Sequence, residues 1–145
     1  MIYLKVKKLH PDAILPTYAT DGSACFDLYA IDDYYMDDIS HPNIIVPTGI
    51  AVEMPLGWQM LIFSRSGHAA KNGVRLSNCV GVVDSDFRGE VNVLLTTNPD
   101  GLLKISKGDR IAQAQLMPVH RVNFIETDTL SETARGTGGF GSTGA

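Results

Sequence analysis

Apolar and polar residues alternate with a period of two along much of the chain. Ile2, Leu4 and Val6 alternate with Tyr3, Lys5 and Lys7, and Trp58, Met60 and Ile62 with Gln59, Leu61 and Phe63. That alternation is the mark of a strand with one face on a core. Further strands are predicted at 26–31, 43–54, 74–83, 87–97, 102–105 and 110–119. Turns punctuate them at Pro55-Leu56-Gly57, Pro99-Asp100-Gly101 and Lys107-Gly108-Asp109,. No apolar stripe of helical period reaches helix length, and only short helical pieces are predicted, at 66–72 and 126–133. Many short strands at this spacing predict an all-β domain, a jelly-roll-like sandwich or barrel built of antiparallel strands.

The pattern fails at the C-terminal end. Between Arg135 and Gly144, five of ten residues are glycine, and Phe140 is the only large apolar side chain. Glycine brings no side chain to a core and loses the most backbone freedom on ordering. The expectation is a β core over 1–130 and a mobile arm over 131–145.

Composition narrows the class. The chain has 145 residues, 44% hydrophobic and 19% charged, which fits one globular domain rather than a disordered or coiled-coil chain,. Its net charge of −4 argues against nucleic acid or a membrane surface as partner, because both require clustered Lys and Arg,. No apolar run approaches membrane-spanning length, and the N-terminus lacks a basic-then-apolar leader, so a cytoplasmic protein is expected. Cys25 and Cys79 lie far apart with no paired spacing and are read as reduced thiols,.

Four segments could carry chemistry. In the arm, Arg135 can grip phosphate oxygens, the glycines let backbone N–H groups approach an anion, and Phe140 offers a face for a base. The absence of a lysine there excludes a Walker A loop. Ser64-Arg65-Ser66-Gly67, just beyond a predicted strand, suits a second phosphate clamp or an ordinary turn. The stretch 78–90 reads as strand, acidic turn, strand. Within it, Asp84 and Asp86 either brace the turn or, for Asp84, orient and deprotonate a water, and Gly81 leaves room for a ligand beside backbone. Gly108-Asp109-Arg110-Ile111-Ala112-Gln113 leads into a strand; Asp109 and Arg110 could form only a surface ion pair, and Gln113 could face solvent or a ligand. The scattered His10, His41, His68 and His120 give no metal-binding spacing, so any metal would be Mg²⁺ carried on phosphates and held through waters and carboxylates.

Taken in order, the segments 21–30, 64–72, 78–91, 108–113 and 135–144 resemble the five motifs of the trimeric, all-β deoxyuridine triphosphatases. The resemblance implies a jelly roll and hydrolysis of dUTP to dUMP and pyrophosphate with Mg²⁺. It also implies a homotrimer whose active sites are shared between subunits. Carried over residue by residue, it gives Asp84 the role of activating water for attack on the α-phosphorus. Asn78 and the backbone at Gly81 would read uracil, Phe87 would lie against the deoxyribose, and Phe140 would cover the base. Arg65, Ser66, Gly67, Gln113, Arg135, Gly141 and Ser142 would hold phosphates, and Asp27 would support the metal through water.

The chain departs from the family pattern at four positions. Cys25 stands where a small residue is usual, Ser64 and His68 replace Pro and Leu beside Arg-Ser-Gly, and Phe87 replaces Tyr. Two other readings stand beside dUTP hydrolysis. One is a dUTP-sensing regulator with a protein partner, for which the acidic region 32–43 around His41 is a candidate surface. The other is dCTP deaminase of the same fold, which would need a glutamate where this chain has Val93-Leu94-Leu95.

Overall fold

The computed structural model describes residues 2–36, 43–98, 103–142 and 144. Eleven strands and one short helix follow one another as β1 (Lys5–Lys8), β2 (Thr17–Tyr18), β3 (Phe26–Tyr29), β4 (Tyr34–Met36), β5 (Asn43–Glu53), β6 (Trp58–Phe63), α1 (Ser66–Asn72), β7 (Arg75–Leu76), β8 (Gly81–Val83), β9 (Glu90–Thr96), β10 (Leu103–Ile105) and β11 (Arg110–Pro118). They form a four-stranded sheet, β1-β5-β9-β7, a five-stranded sheet, β2-β3-β11-β6-β8, and the pair β10-β4. Every pairing is antiparallel. The expected all-β class is what the chain adopts.

The core joins the sheets' inner faces. Val46, Ile50 and Val52 of β5 and Val91, Val93 and Leu95 of β9 belong to one buried cluster with Leu28, Met60, Ile62, Ala112 and Ala114 of the other sheet. The period of two is what sends these residues inward and their neighbours outward. Gly49 breaks β5 with a left-handed φ of 69°, at a bulge between Pro47 and Ala51 in its pairing with β9. A Cβ there would sit 2.6 Å from Ile31 Cγ2, so the bend needs glycine on both counts,. Glu90 Oε1 accepts the freed Gly49 N–H at 2.8 Å.

Several expected elements come out differently. The strand expected over 74–83 divides into β7 and β8, because Cys79 adopts φ 62° in a turn where Val80 N–H donates to Asn78 O at 2.6 Å. The strand expected from Phe87 starts at Glu90, and the first strand starts at Lys5. β8 pairs with β6 while β9 pairs with β5 and β7, so the acidic turn is no hairpin; it crosses from one sheet to the other. Region 126–133 forms no helix and is exposed throughout, because Leu130 has no apolar face to join it against. The predicted helix at 66–72 is present as α1, closed at its C-terminal end by Gly73 with φ 66°,. The expected turn at Pro99-Asp100-Gly101 lies outside the described residues, as do Asp37, Asp38 and His41 of the acidic region.

Candidate functional site

Three antiparallel segments meet around Asp27. In the register of the five-stranded sheet, Gln113 of β11 lies opposite both Asp27 of β3 and Phe63 of β6. The chain leaves β6 at Ser64 and Arg65, directly beside that row. Asp27 is only 7% exposed, and a buried carboxylate requires compensating partners. It has two: Arg65 Nε lies 3.1 Å from Oδ1, and Arg110 Nη1 lies 3.2 Å from Oδ2. Arg65 Nη1 also donates to Arg110 O at 3.1 Å. Gln113 Nε2 donates to Ser64 O at 3.0 Å, and Ser64 Oγ accepts Leu76 N–H at 2.9 Å, which joins the motif to the opposite sheet. Ser66 and Gly67 follow, exposed at the start of α1.

Arg110 therefore does not form the surface pair with Asp109 that its place in sequence suggested. Asp109 Oδ2 instead accepts Ser106 N–H at 2.8 Å, closing the turn before β11. The strand register turns Arg110 toward Asp27, and no local spacing could have shown it. Cys25 stands two residues before Asp27. Partial burial, and then the charge of Asp27, push its thiol pKa above the ordinary value of 9.0, so it stays protonated at neutral pH,.

The second carboxylate has the opposite setting. β8 places Gly81 opposite Ile62 and Val83 opposite Met60, so Asp84 emerges near the start of β6. It is exposed, and among the described residues its carboxylate has no ion pair and no hydrogen bond. The turn around it is firm: Phe87 N–H donates to Asp84 O at 3.2 Å, and Arg88 Nη1 donates to Ser85 O at 2.7 Å and Phe87 O at 2.9 Å. Asp84 and Phe87 line one groove of about 270 Å³ with Val82, Val83, Glu90 and Asn92. On its other side Asp84 borders a groove of about 250 Å³ with Trp58, Gln59, Asp86 and Arg121. Sequence reading passed over both Arg88 and Arg121. Gly81 is packed tightly, since a Cβ would meet Ile62 Cβ at 3.1 Å.

The two clusters are not one site within a chain. Asp84 follows Val83 at the level of Gln59, and Arg65 lies six residues further along the chain, two beyond the end of β6, a span of about 20 Å at strand rise,. The arm completes neither. Residues 117–137 are exposed, and Phe140 stands free with φ 43°. The arm's hydrogen bonds among the described residues stay inside it: Arg135 Nε donates to Gly138 O at 2.8 Å, and Ser142 N–H to Gly139 O at 3.0 Å. The structure thus gathers Asp27, Arg65 and Gln113, with Ser66 and Gly67 adjoining. It gathers Asp84 with Phe87 separately, and leaves Arg135, Phe140, Gly141 and Ser142 apart from both.

A metal is not held by these side chains alone. Among the described residues no three His, Cys, Asp or Glu converge as ligands. Each Asp27 oxygen already accepts from an arginine, and its remaining lone pairs suit a water better than a cation,. No helix among the described residues is long and apolar enough to cross a membrane.

A family model described as dUTPase matches residues 11–144. The chain is similar to a deoxyuridine 5'-triphosphate nucleotidohydrolase of Helicobacter pylori, at 41% identity over 97% of this chain and 96% of the relative. It is 46% identical to one of Hydrogenobaculum, with 97% of each covered. Its fold matches a dUTPase variant of Staphylococcus bacteriophage 80alpha, solved with dUpNHpp, at a TM-score of 0.88 and 23% identity over 99% of each chain.

Proposed function

The chain belongs to the dUTPase family, and from that premise we propose that it hydrolyses dUTP to dUMP and pyrophosphate at sites shared between three copies of itself. One observation carries the reading: Asp84 offers a carboxylate with no partner among the described residues, on a groove beside Phe87, while the cationic cluster at Asp27 lies beyond the far end of β6, about 20 Å away,. A nucleotide bridging base-side and phosphate-side groups finds both within reach only where two chains meet. The exposed arm, with Arg135, Phe140, Gly141 and Ser142, is the third contribution.

The chemistry follows from the groups. Asp84 takes a proton from a water as the water's oxygen bonds to the α-phosphorus. The bond from that phosphorus to the bridging oxygen breaks, and pyrophosphate leaves with the electron pair. Arg65, Ser66, Gly67 and Gln113, with Arg135, Gly141 and Ser142 of the arm, hold the phosphate oxygens where charge develops. Asp27 keeps Arg65 extended toward them and would support a bound metal through water. Bound on the triphosphate, Mg²⁺ supplies charge neutralisation, which the −4 chain does not provide in excess,.

Selection is divided. Phe140 stacks on any base, so it cannot choose one. Asn78 and the backbone at Gly81 choose, because uracil pairs an N3 donor with an O4 acceptor where cytosine has the reverse. A buried mismatch of that kind is rejected by a factor on the order of 10⁴. Thymine keeps uracil's pattern and must be refused by crowding at C5. Deamination is opposed by β9, where the stretch Val93-Leu94-Leu95 carries no carboxylate and Val93 and Leu95 are buried in the apolar core. Two free cysteines agree with a reducing, cytoplasmic setting,.

The test is pyrophosphate release by the full chain with Mg²⁺ from dUTP, dCTP, dTTP and UTP, with Asp84→Asn as control. Release from dUTP alone is expected, and equal release from dCTP or UTP would overturn the assignment. Removing 131–145 should cut turnover about a hundredfold or more, the scale of losing positioned anion contacts, and leave the β circular dichroism unchanged.

A further inference from the structure

Gly89 has no backbone reason to be glycine. Its φ lies outside the left-handed region, where any residue fits,. It is exposed, one residue before β9, so a side chain would have solvent to enter. What excludes a side chain is one neighbour. A Cβ on Gly89 would lie 2.6 Å from Phe87 Cζ, 3.0 Å from Cε2 and 3.4 Å from Cε1. The three nearest atoms all belong to the Phe87 ring, whose tip occupies the space a Gly89 side chain would need.

The backbone carrying that ring is braced. Asp84 O accepts Phe87 N–H, and the Arg88 guanidinium holds the carbonyls of Ser85 and Phe87 together. A Cβ at position 89 therefore displaces the ring rather than the turn. The ring is about half exposed on the groove that also holds Asp84. The family resemblance lays this ring against the deoxyribose, where its bulk would crowd a substituent at C2′.

We propose that Gly89, with the Arg88 clamp, is a positioning residue for sugar selection: it seats the Phe87 ring so that a 2′-hydroxyl finds no room. This deepens the dUTP reading and rests on it. Steric refusal of one hydroxyl depends on displacements of well under an ångström, since repulsion rises steeply inside contact distance. Gly89 touches neither Asp84 nor the phosphates, so the chemical step should be little affected.

The experiment compares kcat/KM for dUTP and UTP in the full chain and in Gly89→Ala, Arg88→Ala, Phe87→Ala and the Phe87→Ala, Gly89→Ala pair, each first checked for wild-type circular dichroism. Gly89→Ala is expected to lower the dUTP/UTP ratio at least tenfold, with kcat for dUTP changed less than threefold. Arg88→Ala adds no atoms and should lower the ratio in the same direction, so it serves where Gly89→Ala does not fold. In the Phe87→Ala background Gly89→Ala should have no further effect, because the ring it displaces is gone. A wild-type ratio in either folded single variant overturns the proposal. So does an equal fall from Gly89→Ala with and without the ring. Should Phe87→Ala itself keep the ratio, the assignment of the ring to the sugar falls, and the role of Gly89 with it.

Discussion

Asp27 lies within β3 and Asp84 just past the end of β8 in the same sheet, and they have opposite surroundings. Asp27 is buried and held by two guanidinium groups. Asp84 is exposed on a turn braced, among the described residues, by backbone and Arg88 hydrogen bonds. A buried carboxylate paired with two guanidinium groups is suited to positioning them, and an exposed carboxylate is free to receive a proton. The division of labour proposed for the two therefore rests on register and burial and not on residue type. Asp84→Asn breaks the comparison most directly. It should lower dUTP turnover about a thousandfold, within the range for loss of a general base. Binding of a non-hydrolysable dUTP analogue, measured by calorimetry, should persist, because asparagine keeps the shape. Near-normal turnover would remove Asp84 from the chemistry.

The spatial separation of the two carboxylates gives a sharper test. Asp84→Asn and Arg65→Ala should each be inactive alone. If one site takes Asp84 from one copy and Arg65 from another, unfolding and refolding the two variants together restores sites in which both are intact. Random assortment at equal amounts gives activity of about a quarter of wild type. If both residues served one site within a chain, the mixture would stay as inactive as its components.

Asp27→Ala probes the other side of the comparison, and its readout is stability. Removing it leaves Arg65 and Arg110 as two like charges without their counterion. Breaking a buried pair by deleting one partner costs about 3–5 kcal/mol. The lower end applies here because Arg110 is 46% exposed and Arg65 23%. For a chain of this size that loss lowers Tm by about 6–12 °C. A Tm within a degree of wild type would mean that the arginines find other partners and that Asp27 is not what holds them.

The sequence shows these two environments unequally. Alternation over 43–54, 58–63 and 110–119 announces β5, β6 and β11 because their inner faces are nearly all apolar. Asp84 and Gln113 were legible as site candidates because their motifs are contiguous in the chain. The pairing of Arg110 with Asp27 was not, since it depends on β3 and β11 meeting in one register, 83 residues apart in sequence. The break at Cys79 was equally hidden: Asn78 to Val83 has strand composition, and only a left-handed φ at a non-glycine residue splits it. The acidic turn looked like a hairpin because adjacent strands usually pair, whereas here β8 and β9 belong to different sheets. Just before the arm the reason is the reverse. Val122 and Phe124 alternate, Ile125 follows, and the three are apolar enough for a strand, yet they stand exposed because the chain itself offers them no surface.

The smallest effect belongs to a contact far from either carboxylate. Lys107 Nζ meets Asp12 Oδ2 at 2.6 Å, while Lys107 N–H donates to Asp33 Oδ1, tying the N-terminal loop to the turn before β11. The hydrogen bond and charge of Lys107 hold the Asp12 carboxyl below its ordinary 3.8. The hydrogen bond of Asp12 in turn raises Lys107 above 10.5. The lowered carboxyl stabilises the fold above 3.8, a contribution that fades as pH falls through its folded value. The raised ammonium contributes below 10.5, and that part is lost as pH climbs through its folded value. The pair therefore acts on a plateau between those limits, and being exposed it is screened by water and salt. Comparing wild type with Asp12→Asn should show a Tm difference of about 1–2 °C near neutral pH. That difference should shrink toward zero at either extreme and also in about 1 M salt. A difference that stays constant across pH and salt would place the effect of Asp12 in the packing of its loop and not in its charge.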